Sequence, residues 1–600
     1  MSTIRLTING IECQAPAGST ILQAAKVNQI HIPTLCHLEN VHQFGGCRIC
    51  VVEQEGAKNL QASCMVEAKE GMVIHTNSER VRRARRTLYQ LVISNHNQNC
   101  LSCARNQDCE LQGLGYELGV RAAPYEGERF ATPLDASVSI TRDSSKCILC
   151  RRCVTVCNQV QGVSVLNAQN RGFHSLVAPA ADMKLGASNC TYCGQCVNVC
   201  PVGALAESAH KERVFRALGN PDKYVVVQTA PAVRAAIGEC FGMPAGTAQT
   251  GRMVAALRDL GFDKVFDTNW AADLTIMEEG TELLSRLKAA LSGGETALPM
   301  MTSCSPGWVK YMEHTYPNHL EHLSTCKSPH MMLGAVIKSY YAKQLGKKPE
   351  DIYVVSVMPC TAKKTEIARA EMTNDGVHNV DAVLTTRELG EMIYSAGIDF
   401  LKLPEESFDD PLGQSTGAAD IFGLTGGVME AALRTVYEIV TGREIPFTNL
   451  HVRPIVGLGQ IREAKIVLES VKPEWAGAEG FELQIAVASG LAGAKKLMQQ
   501  VKDGTSPYHF IEVMGCPGGC ITGGGQPRAE DMNTVRQKRM EALYQEDEGK
   551  ALRKSHENPS ITAFYEQWGE PGGHASHEYL HTHYTPRGIF NELTNETFAR

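Results

Sequence analysis

The stretch CILCRRCVTVC at residues 147–157, together with CTYCGQCVNVCP at residues 190–201, decides how the N-terminal third of this chain folds. Each stretch spaces four cysteines as C-x2-C-x2-C-x3-C. Thiolates in two such runs bind two four-iron clusters, and the fourth cysteine of each run binds the cluster of the other. The sequence therefore predicts two ligand sets, one of Cys147, Cys150, Cys153 and Cys200 and one of Cys190, Cys193, Cys196 and Cys157.

Two more ligand groups precede this bacterial ferredoxin-like motif. The first has the spacing of plant-type two-iron ferredoxins and consists of Cys36, Cys47, Cys50 and Cys64. The second reads H-x3-C-x2-C-x5-C and consists of His96, Cys100, Cys103 and Cys109. Zinc is the alternative metal for both groups. A four-iron cluster is favoured for the second group because zinc has no redox chemistry and would interrupt a path for electrons.

Length and composition bound the rest of the protein. The 600 residues are enough for several domains, and 43% hydrophobic with 20% charged residues is ordinary for a globular protein. A net charge of −7 with scattered basic residues gives no indication of nucleic-acid binding. No apolar stretch approaches the length of about 18 residues that a membrane span needs. Many thiols without an export signal indicate a cytoplasmic protein.

The positions of the motifs predict the domain organisation. Ile4–Ile11 alternates as a strand does, with a turn at Asn9-Gly10, and Glu79–Asn95 is an arginine-rich helical stretch. For the C-terminal tail at residues 586–600, a docking segment is the alternative to a disordered terminus. The predicted segments are a 2Fe-2S ferredoxin-like domain at 1–78, a one-histidine, three-cysteine cluster domain at 79–125, a two-cluster ferredoxin domain at 138–210, a catalytic domain at 220–585 and the tail at 586–600.

After residue 220, short apolar runs alternate with helical patterns, which predicts an α/β catalytic region. Buried strands are expected at Tyr224–Gln228, Asp351–Met358 and Phe481–Val487. Helices are expected at Ala232–Phe241, Asp273–Leu291 and Lys327–Leu345.

Three Gly- and Pro-rich segments of this region carry most of its cysteines. They read TSCSPGW at 302–308, MPCTAKKTE at 358–366 and EVMGCPGGCITGGGQP at 512–527. Cysteines dispersed in this way suit a buried cluster held by several loops, and glycine lets the backbone close around it. The isolated Cys13, Cys240 and Cys326 are expected to be small buried side chains.

These three segments resemble the signature motifs of [FeFe]-hydrogenases, and the order of the N-terminal ligand groups resembles the long form of that family. The resemblance covers nearly all of the chain and includes the catalytic subunits of NAD(P)-linked hydrogenase complexes. It implies a multidomain α/β and α+β fold. The implied parts are a β-grasp 2Fe-2S ferredoxin domain, a small helical domain for the one-histidine, three-cysteine cluster, a bacterial two-cluster ferredoxin domain and a two-lobed α/β H-cluster domain.

The resemblance implies an H-cluster, which is a four-iron cubane joined through a cysteine sulfur to a two-iron subsite with CO, cyanide and azadithiolate ligands. Cys360, Cys516 and Cys520 match cubane ligands, with Cys520 as the bridge to the subsite. Lys363 matches an ammonium donor to a cyanide. The pocket is implied to be formed by Met358, Met514, Pro231, Ala232, Ser328, Pro329 and Phe422.

A proton relay is also implied, and it consists of Glu279, Glu282, Arg286 and Ser324. The first three are spaced i, i+3 and i+7 on a predicted helix and therefore share one face. Without the resemblance, the same spacing is that of an ordinary solvent-exposed charged face. Two neighbouring positions differ from many relatives: His330 stands where glutamine is frequent, and Gly515 stands where alanine is frequent.

The pair Cys304-Ser305 departs from the family, which usually has a relay cysteine followed by a ligand cysteine. Aligned without a gap, Cys304 relays protons and Ser305 takes the ligand position. With the loop shifted by one residue, Cys304 is the ligand and Ser305 relays through its hydroxyl. The preference of iron for thiolate favours this second alignment.

The predicted function is the reversible oxidation of H2 to two protons and two electrons. The predicted cofactors are one 2Fe-2S cluster, three accessory 4Fe-4S clusters and the H-cluster. Electrons are expected to pass to ferredoxin or to a flavin- and NAD(P)-binding partner subunit, because no G-x-G-x-x-G fingerprint is evident. Maturation proteins are expected to install the two-iron subsite. The alternatives are a low-activity sensory hydrogenase, an iron–sulfur assembly protein, and an electron-transfer subunit of a complex I-like dehydrogenase, which would share only the N-terminal groups.

Overall fold

The computed structural model describes residues 2–128, 133–529 and 531–588, so most of the predicted tail at 586–600 lies outside the described residues. Contacts divide the chain into two compact units. The first comprises 1–159, 164–185 and 199–206, and the second comprises 160–163, 186–198 and 207–600. Cys190, Cys193 and Cys196 therefore belong to the second unit, whereas the other cysteines of the ferredoxin-like motif belong to the first.

A five-stranded sheet begins the first unit. Its first strands, Thr3–Ile8 and Ile11–Pro16, pair antiparallel through Asn9 and Gly10, whose φ angles are 52° and 80°. Asn and Gly adopt this left-handed backbone at low cost, so the predicted turn is confirmed, and it ends the strand predicted at Ile4–Ile11. The other strands are Val51–Gln54, Gln61–Ala62 and Val73–His75, and helix Ile21–Val27 packs into the same core.

The arginine-rich stretch forms the helix Glu79–Ser94, as predicted. Ser78 caps its N-terminus, because the Ser78 hydroxyl accepts a hydrogen bond from the N–H of Val81 at 3.3 Å. The remaining regular elements are short. They are helices Glu110–Glu117 and Arg152–Thr155, a sheet of Asp135–Ala136, Ile140–Arg142 and Leu205–Glu207, and a hairpin of Asn167–Gln169 and Leu176–Ala178.

Two four-stranded sheets organise the second unit. One is parallel throughout, and the other is parallel except for its last pair. Their central strands are nearly continuous apolar runs because helices cover both faces of a parallel sheet, and the three buried strands predicted from sequence are confirmed. In spatial order the first sheet is Lys264–Asp267, Tyr224–Thr229, Ile352–Met358 and Ala382–Thr385, and the second is Met300–Met301, Phe510–Met514, Phe481–Ser489 and Ile461–Leu468.

Helix ends in the second unit differ from those predicted for identifiable reasons. The helix predicted from Asp273 begins at Thr268, because the Asp267 carboxylate caps it by accepting from the N–H of Asn269 at 3.0 Å. The helix predicted at 327–345 begins at Pro329, a residue suited to a first turn. A π-helical turn at Ile337–Tyr341 then interrupts it.

The segment predicted as a helix at 232–241 is a short helix followed by a 3-10 turn at Ile237–Phe241. Among the described residues, no helix combines the length and the apolar composition that crossing a membrane requires. A two-stranded hairpin, Thr373–Asn374 and Val377–His378, completes the strands. The helices of the second unit are Gln195–Val199, Lys211–Leu218, Pro231–Arg234, Thr250–Asp259, Thr268–Leu291, Pro306–Thr315, Pro329–Val336, Ala342–Leu345, Lys363–Glu366, Thr386–Ser395, Gly417–Asp420, Gly427–Thr441, Leu491–Lys502, Met532–Gly549, Pro559–Trp568 and His574–Tyr579.

Candidate active site

The three cysteine-bearing motifs meet at the carboxyl ends of parallel strands in the second unit. Met358 and Met514 are the last residues of their strands, and Met300–Met301 directly precedes the first motif. Ligands bind at this edge of open α/β sheets because the loops that leave the strands converge there. The two sheets therefore direct all three motifs into one cavity.

The cavity is lined by groups from all three motifs. Ala232 and Ser328, which were expected in the wall, are buried but do not line it. Thr268 and Gly423 line it without any signal in their local sequence. The predicted residues that do line it are Pro231, Cys304, Ser305, Pro329, His330, Met358, Cys360, Lys363, Phe422, Met514, Cys516 and Cys520.

The donor set of the cavity fits an iron–sulfur group with anionic diatomic ligands. Four thiols face it, and thiolate is the ligand that such clusters use. Burial raises the pKa of the Cys520 thiol to about 12 and also raises the pKa of Cys360, so these thiols keep their protons until a metal binds and displaces them. An ammonium group from Lys363 and two polarizable methionine sulfurs complete the lining.

Lys363 is held by a buried network. Its Nζ donates to the backbone oxygen of Cys304 at 3.0 Å and pairs with Oε2 of Glu366 at 2.8 Å. Glu366 also accepts from the hydroxyl of Ser328 at 2.7 Å and lies against the ring of His330. Sequence reasoning gave Glu366 no role, although its position three residues after Lys363 on one helical turn is a signal that could have indicated one.

Cys304 and Ser305 face different parts of the cavity wall. Burial raises the pKa of the Cys304 thiol, and the charge of Glu279 raises it further. The Cys304 thiol is therefore near Glu279 of the predicted relay. The Ser305 hydroxyl instead accepts from the N–H of Gly515 at 3.2 Å, next to Cys516. A methyl group on Gly515 would lie 2.7 Å from that hydroxyl oxygen, so the glycine provides the space it occupies.

Of the four predicted relay residues, hydrogen bonds join Glu282, Arg286 and Ser324, and Glu279 is buried on the same helix, Thr268–Leu291. Burial raises the pKa of Glu279 to about 8, and its Oε2 has no hydrogen-bond partner among the described residues. The Ser324 hydroxyl donates to Oε2 of Glu282 at 3.0 Å, and Arg286 donates to Oε1 of Glu282 at 2.6 Å. Glu279 is buried, while Glu282 and Arg286 are half-buried and paired with each other, so these three residues do not form a fully solvated charged face.

Within the second unit, the loop of Cys190, Cys193 and Cys196 touches the walls of the cavity. The hydroxyl of Thr361, next to Cys360, donates to the backbone oxygen of Tyr192 at 2.7 Å. Gln195 donates to the backbone oxygen of Thr522 at 2.8 Å, and the Cys516 thiol lies 3.9 Å from the backbone oxygen of Cys193. These contacts place the two cysteine groups next to each other.

The first unit brings together the crossed ligand set that the spacing predicts. Cys147, Cys150, Cys153 and Cys200 line one cavity there. The loop of the plant-type group reaches the same place, because the ring of His42 lies 3.0 Å from the backbone oxygen of Cys150 and 2.7 Å from the hydroxyl of Thr155.

The residues of the other two predicted ligand groups also lie in the first unit. The Sγ atoms of Cys50 and Cys64 are 3.3 Å apart, and Cys36 interacts directly with Cys47. Burial and the nearby thiols of Cys109 and Cys100 raise the pKa of Tyr89 to about 12, which places two of the three cysteines of the second group around one phenol. His96 is buried just after helix Glu79–Ser94.

Of the isolated cysteines, Cys13 and Cys326 are buried, as expected. Cys240 is exposed in its 3-10 turn, so the expectation that it is a small buried side chain was wrong.

Five family descriptions match the chain in the predicted order. Residues 223–524 match "Iron only hydrogenase large subunit, C-terminal domain", and residues 533–587 match "Iron hydrogenase small subunit". Residues 1–79 match a 2Fe-2S iron–sulfur cluster binding domain, and residues 146–204 match a 4Fe-4S dicluster domain. Residues 85–124 match the iron–sulfur binding region of NADH-ubiquinone oxidoreductase-G, the part that a complex I-like subunit would share.

Similar proteins cover nearly all of the sequence. The NADP-reducing hydrogenase subunit HndD of Solidesulfovibrio fructosivorans is 51% identical over 98% of this chain and 100% of its own length. Iron hydrogenase 1 of Clostridium pasteurianum is 39% identical over 96% of this chain and 99% of its own length. A solved structure of HydA1 from Chlamydomonas reinhardtii is 43% identical, covers 63% of this chain and 99% of its own, and has a TM-score of 0.57.

Proposed function

This chain belongs to the iron-only hydrogenase family, and from that premise we propose that it catalyses the reversible oxidation of H2 to protons and electrons at an H-cluster. The observation that carries the proposal is the single cavity that collects Cys360, Cys516, Cys520 and Lys363 at the strand ends. An electron-transfer subunit would need the N-terminal ligand groups but not this cavity.

When bound, the H-cluster supplies the iron chemistry that splits or forms H2. Cys360, Cys516 and Cys520 would hold its cubane as thiolates, with Cys520 toward the two-iron subsite. Lys363, fixed by Glu366, would donate a charge-assisted hydrogen bond to a cyanide ligand. Glu279 is suited to move protons, because a pKa of about 8 lets it gain and lose a proton near neutral pH.

For the first motif we infer that Cys304 belongs to the relay and that Ser305 stands at the fourth position of the cubane. Two observations support this alignment without a gap: the Cys304 thiol lies beside Glu279, and the Ser305 hydroxyl lies beside Gly515 and Cys516. In this alignment one iron of the cubane would have an oxygen ligand from Ser305 or no protein ligand. Either case would change the reduction potential of the cubane.

Four accessory clusters would connect this site to an electron partner: one 2Fe-2S cluster and three 4Fe-4S clusters. The relative HndD is named as a subunit of an NADP-reducing hydrogenase, which favours a partner subunit for NADP over ferredoxin as the electron acceptor. A low-turnover sensory role is the second candidate, and Ser305 at a ligand position is the observation that favours it.

The test is H2 evolution from reduced viologen by the full chain after anaerobic maturation, with Cys516→Ala and Cys240→Ala alongside. We expect turnover in the parent and in Cys240→Ala, and no turnover in Cys516→Ala. Turnover only after Ser305→Cys would favour the sensory role. Full iron content without turnover in both the parent and Ser305→Cys would overturn the assignment in favour of an electron carrier.

A further inference from the structure

The carboxylate of Glu282 contacts two separate groups of residues. Its Oε1 accepts from Arg286, while its Oε2 accepts from the Ser324 hydroxyl and from the N–H of Thr325 at 3.0 Å and lies 3.2 Å from the Thr325 hydroxyl oxygen. Arg286 also donates to the backbone oxygens of Ala297, Glu321 and Leu323. A guanidinium keeps its proton in proteins, so Arg286 orients Glu282 but does not take a proton from it.

On the side of Thr325, Glu282 contacts a set of a hydroxyl, an imidazole and a carboxylate. The Thr325 hydroxyl lies 2.7 Å from Nδ1 of His581, and Nε2 of His581 lies 3.1 Å from Oε2 of Glu278. Glu278 is buried and also accepts from Tyr565 at 2.6 Å and from Ser576 at 2.8 Å. These hydrogen bonds and His581 lower the pKa of Glu278 although burial opposes them, so it remains a carboxylate.

This arrangement fixes the tautomer of His581. An ionised Glu278 accepts the Nε2–H, which leaves the lone pair of Nδ1 facing the Thr325 hydroxyl. The same order of groups makes imidazole a base toward a hydroxyl in hydrolytic triads. Here the hydroxyl is bonded on its other side to Glu282.

We propose, on the basis of the hydrogenase function above, that Thr325, His581 and Glu278 form a side branch of the proton relay, in which the imidazole of His581 takes up a proton from Glu282 through Thr325 and returns it by the same route. In the outward direction Glu282 gives its proton to Oγ of Thr325 while the Thr325 hydroxyl proton passes to Nδ1 of His581. The inward direction reverses both transfers. Glu278 is a positioning residue that stabilises the imidazolium.

The branch ends close to water. His581 is 8% exposed, and the ring of the exposed His577 lies 4.5 Å from it, centroid to centroid. The titratable groups that face His581 are Glu278 and Glu282 from helix Thr268–Leu291, Cys326 across a β-bridge, and His577 from its own segment. Cys326 remains protonated, because burial raises the pKa of its thiol.

The test uses the matured full chain with His581→Gln, Thr325→Val and the conservative Thr325→Ser. His574→Gln is the matched control, because the His574 side chain is 97% exposed on helix His574–Tyr579, where its Nδ1 is 4.0 Å from Oε2 of Glu578. Rates of H2 oxidation and evolution are measured through the pH range in which histidine titrates. Infrared bands of the CO and cyanide ligands report whether the loaded site is unchanged.

In His581→Gln and Thr325→Val we expect about a fivefold loss of both H2 oxidation and H2 evolution, which is a partial loss of proton transfer. Thr325→Ser and His574→Gln should keep the parental pH profile. Parental profiles in both His581→Gln and Thr325→Val would overturn the proposal.

A second measurement separates this proposal from the hydrogenase assignment. In the chain without an H-cluster, the ring nitrogen resonances of His581, identified by their loss in His581→Gln, are recorded in histidine-labelled protein. We expect Thr325→Val to shift the Nδ1 resonance, because it removes the hydroxyl that faces this nitrogen, and Thr325→Ser to restore it. If the His581 resonance is the same in both variants as in the parent, the proposed branch is excluded, whether or not the matured chain turns over H2.

Discussion

Nε2 of His330 lies 2.7 Å from Oε2 of Glu366, and both side chains are buried beside the cavity. Burial and the charge of Lys363 lower the pKa of His330 to about 4. Although burial opposes it, the Lys363 ammonium lowers the pKa of Glu366 to about 2. The pair is therefore a neutral imidazole that donates to an ionised carboxylate, while Nδ1 of His330 accepts from the hydroxyl of Ser356 at 3.0 Å.

Replacing Glu366 by glutamine should disturb Lys363 without emptying the space. The ammonium would lose its ionic partner, and we expect about a tenfold loss of H2 evolution, the scale on which residues behind a metal site act. The cyanide infrared bands of the matured chain should shift. His330→Gln, which keeps an N–H donor toward Glu366, is the control and should lose less than about threefold. Equal losses, or unshifted bands in Glu366→Gln, would contradict the orienting role.

Glu279→Gln should separate stability from turnover. The folded pKa of about 8 exceeds the unfolded value of 4.5, so the folded chain binds the extra proton between these values and its stability falls as pH rises through them. Glutamine removes this dependence, and at about pH 8 the variant should be more stable than the parent by on the order of 3 kcal/mol. Calorimetry of the unmatured chain at about pH 5 and pH 8 checks this.

The same variant should lose H2 turnover about 100-fold after maturation, because glutamine cannot pass a proton. Glu541→Gln is the control, because Glu541 is exposed on its helix and accepts a hydrogen bond from Gln537 at 2.8 Å. A stability difference between parent and Glu279→Gln that is the same at both pH values would show that Glu279 ionises normally.

Local patterns were informative where one stretch of chain carries the whole signal. The strands ending at Met358 and Met514 are continuous apolar runs, and the cysteines that follow them are recognisable by spacing. Glu278 and His581 are bonded although 303 residues separate them, so no periodicity could pair them. Whether Cys304 or Ser305 faces Glu279 likewise depends on how the loop after Met300–Met301 meets Gly515, which the motif alone leaves open.

The pair Ser305 and Gly515 should be energetically coupled. Gly515→Ala would push a methyl group against the Ser305 hydroxyl, which we expect to cost about 1–2 kcal/mol of unfolding free energy. With Ser305→Ala already present the hydroxyl is gone, and the cost of the added methyl group should fall by about 1 kcal/mol. Denaturation of the four chains of this cycle gives the coupling. Additive effects would mean that the two side chains do not meet, and that the loop lies in the shifted alignment.

His42 should connect two cluster sites of the first unit. It lies in the loop between Cys36 and Cys47, and its ring bonds to the Cys150 backbone oxygen. His42→Ala should slow electron transfer from the two-iron cluster to the next by about tenfold, since small displacements of reacting groups have effects of this size or larger. Freeze-quenched electron paramagnetic resonance measures it. His31→Ala, whose exposed ring pairs with Glu117, is the control, and an unchanged rate in His42→Ala would exclude the connection.

Gly194 should tolerate no side chain, because it holds the loop of Cys193 and Cys196 against the cavity wall. A Cβ there would lie 2.4 Å from the Thr361 hydroxyl and 2.7 Å from the Cα of Gly524, at a φ of 71°. Gly242 has a similar φ of 79° but nothing within 4 Å of its Cβ position, so Gly242→Ala carries only the backbone strain of about 1 kcal/mol. We expect Gly194→Ala to cost at least about 2 kcal/mol more unfolding free energy than Gly242→Ala, because backbone atoms must move.

Calorimetry of the two variants gives this difference in stability. Iron analysis of the reconstituted chain should show loss of one four-iron cluster in Gly194→Ala alone. Equal stabilities and equal iron contents would mean that this loop is free to move away from Thr361 and Gly524.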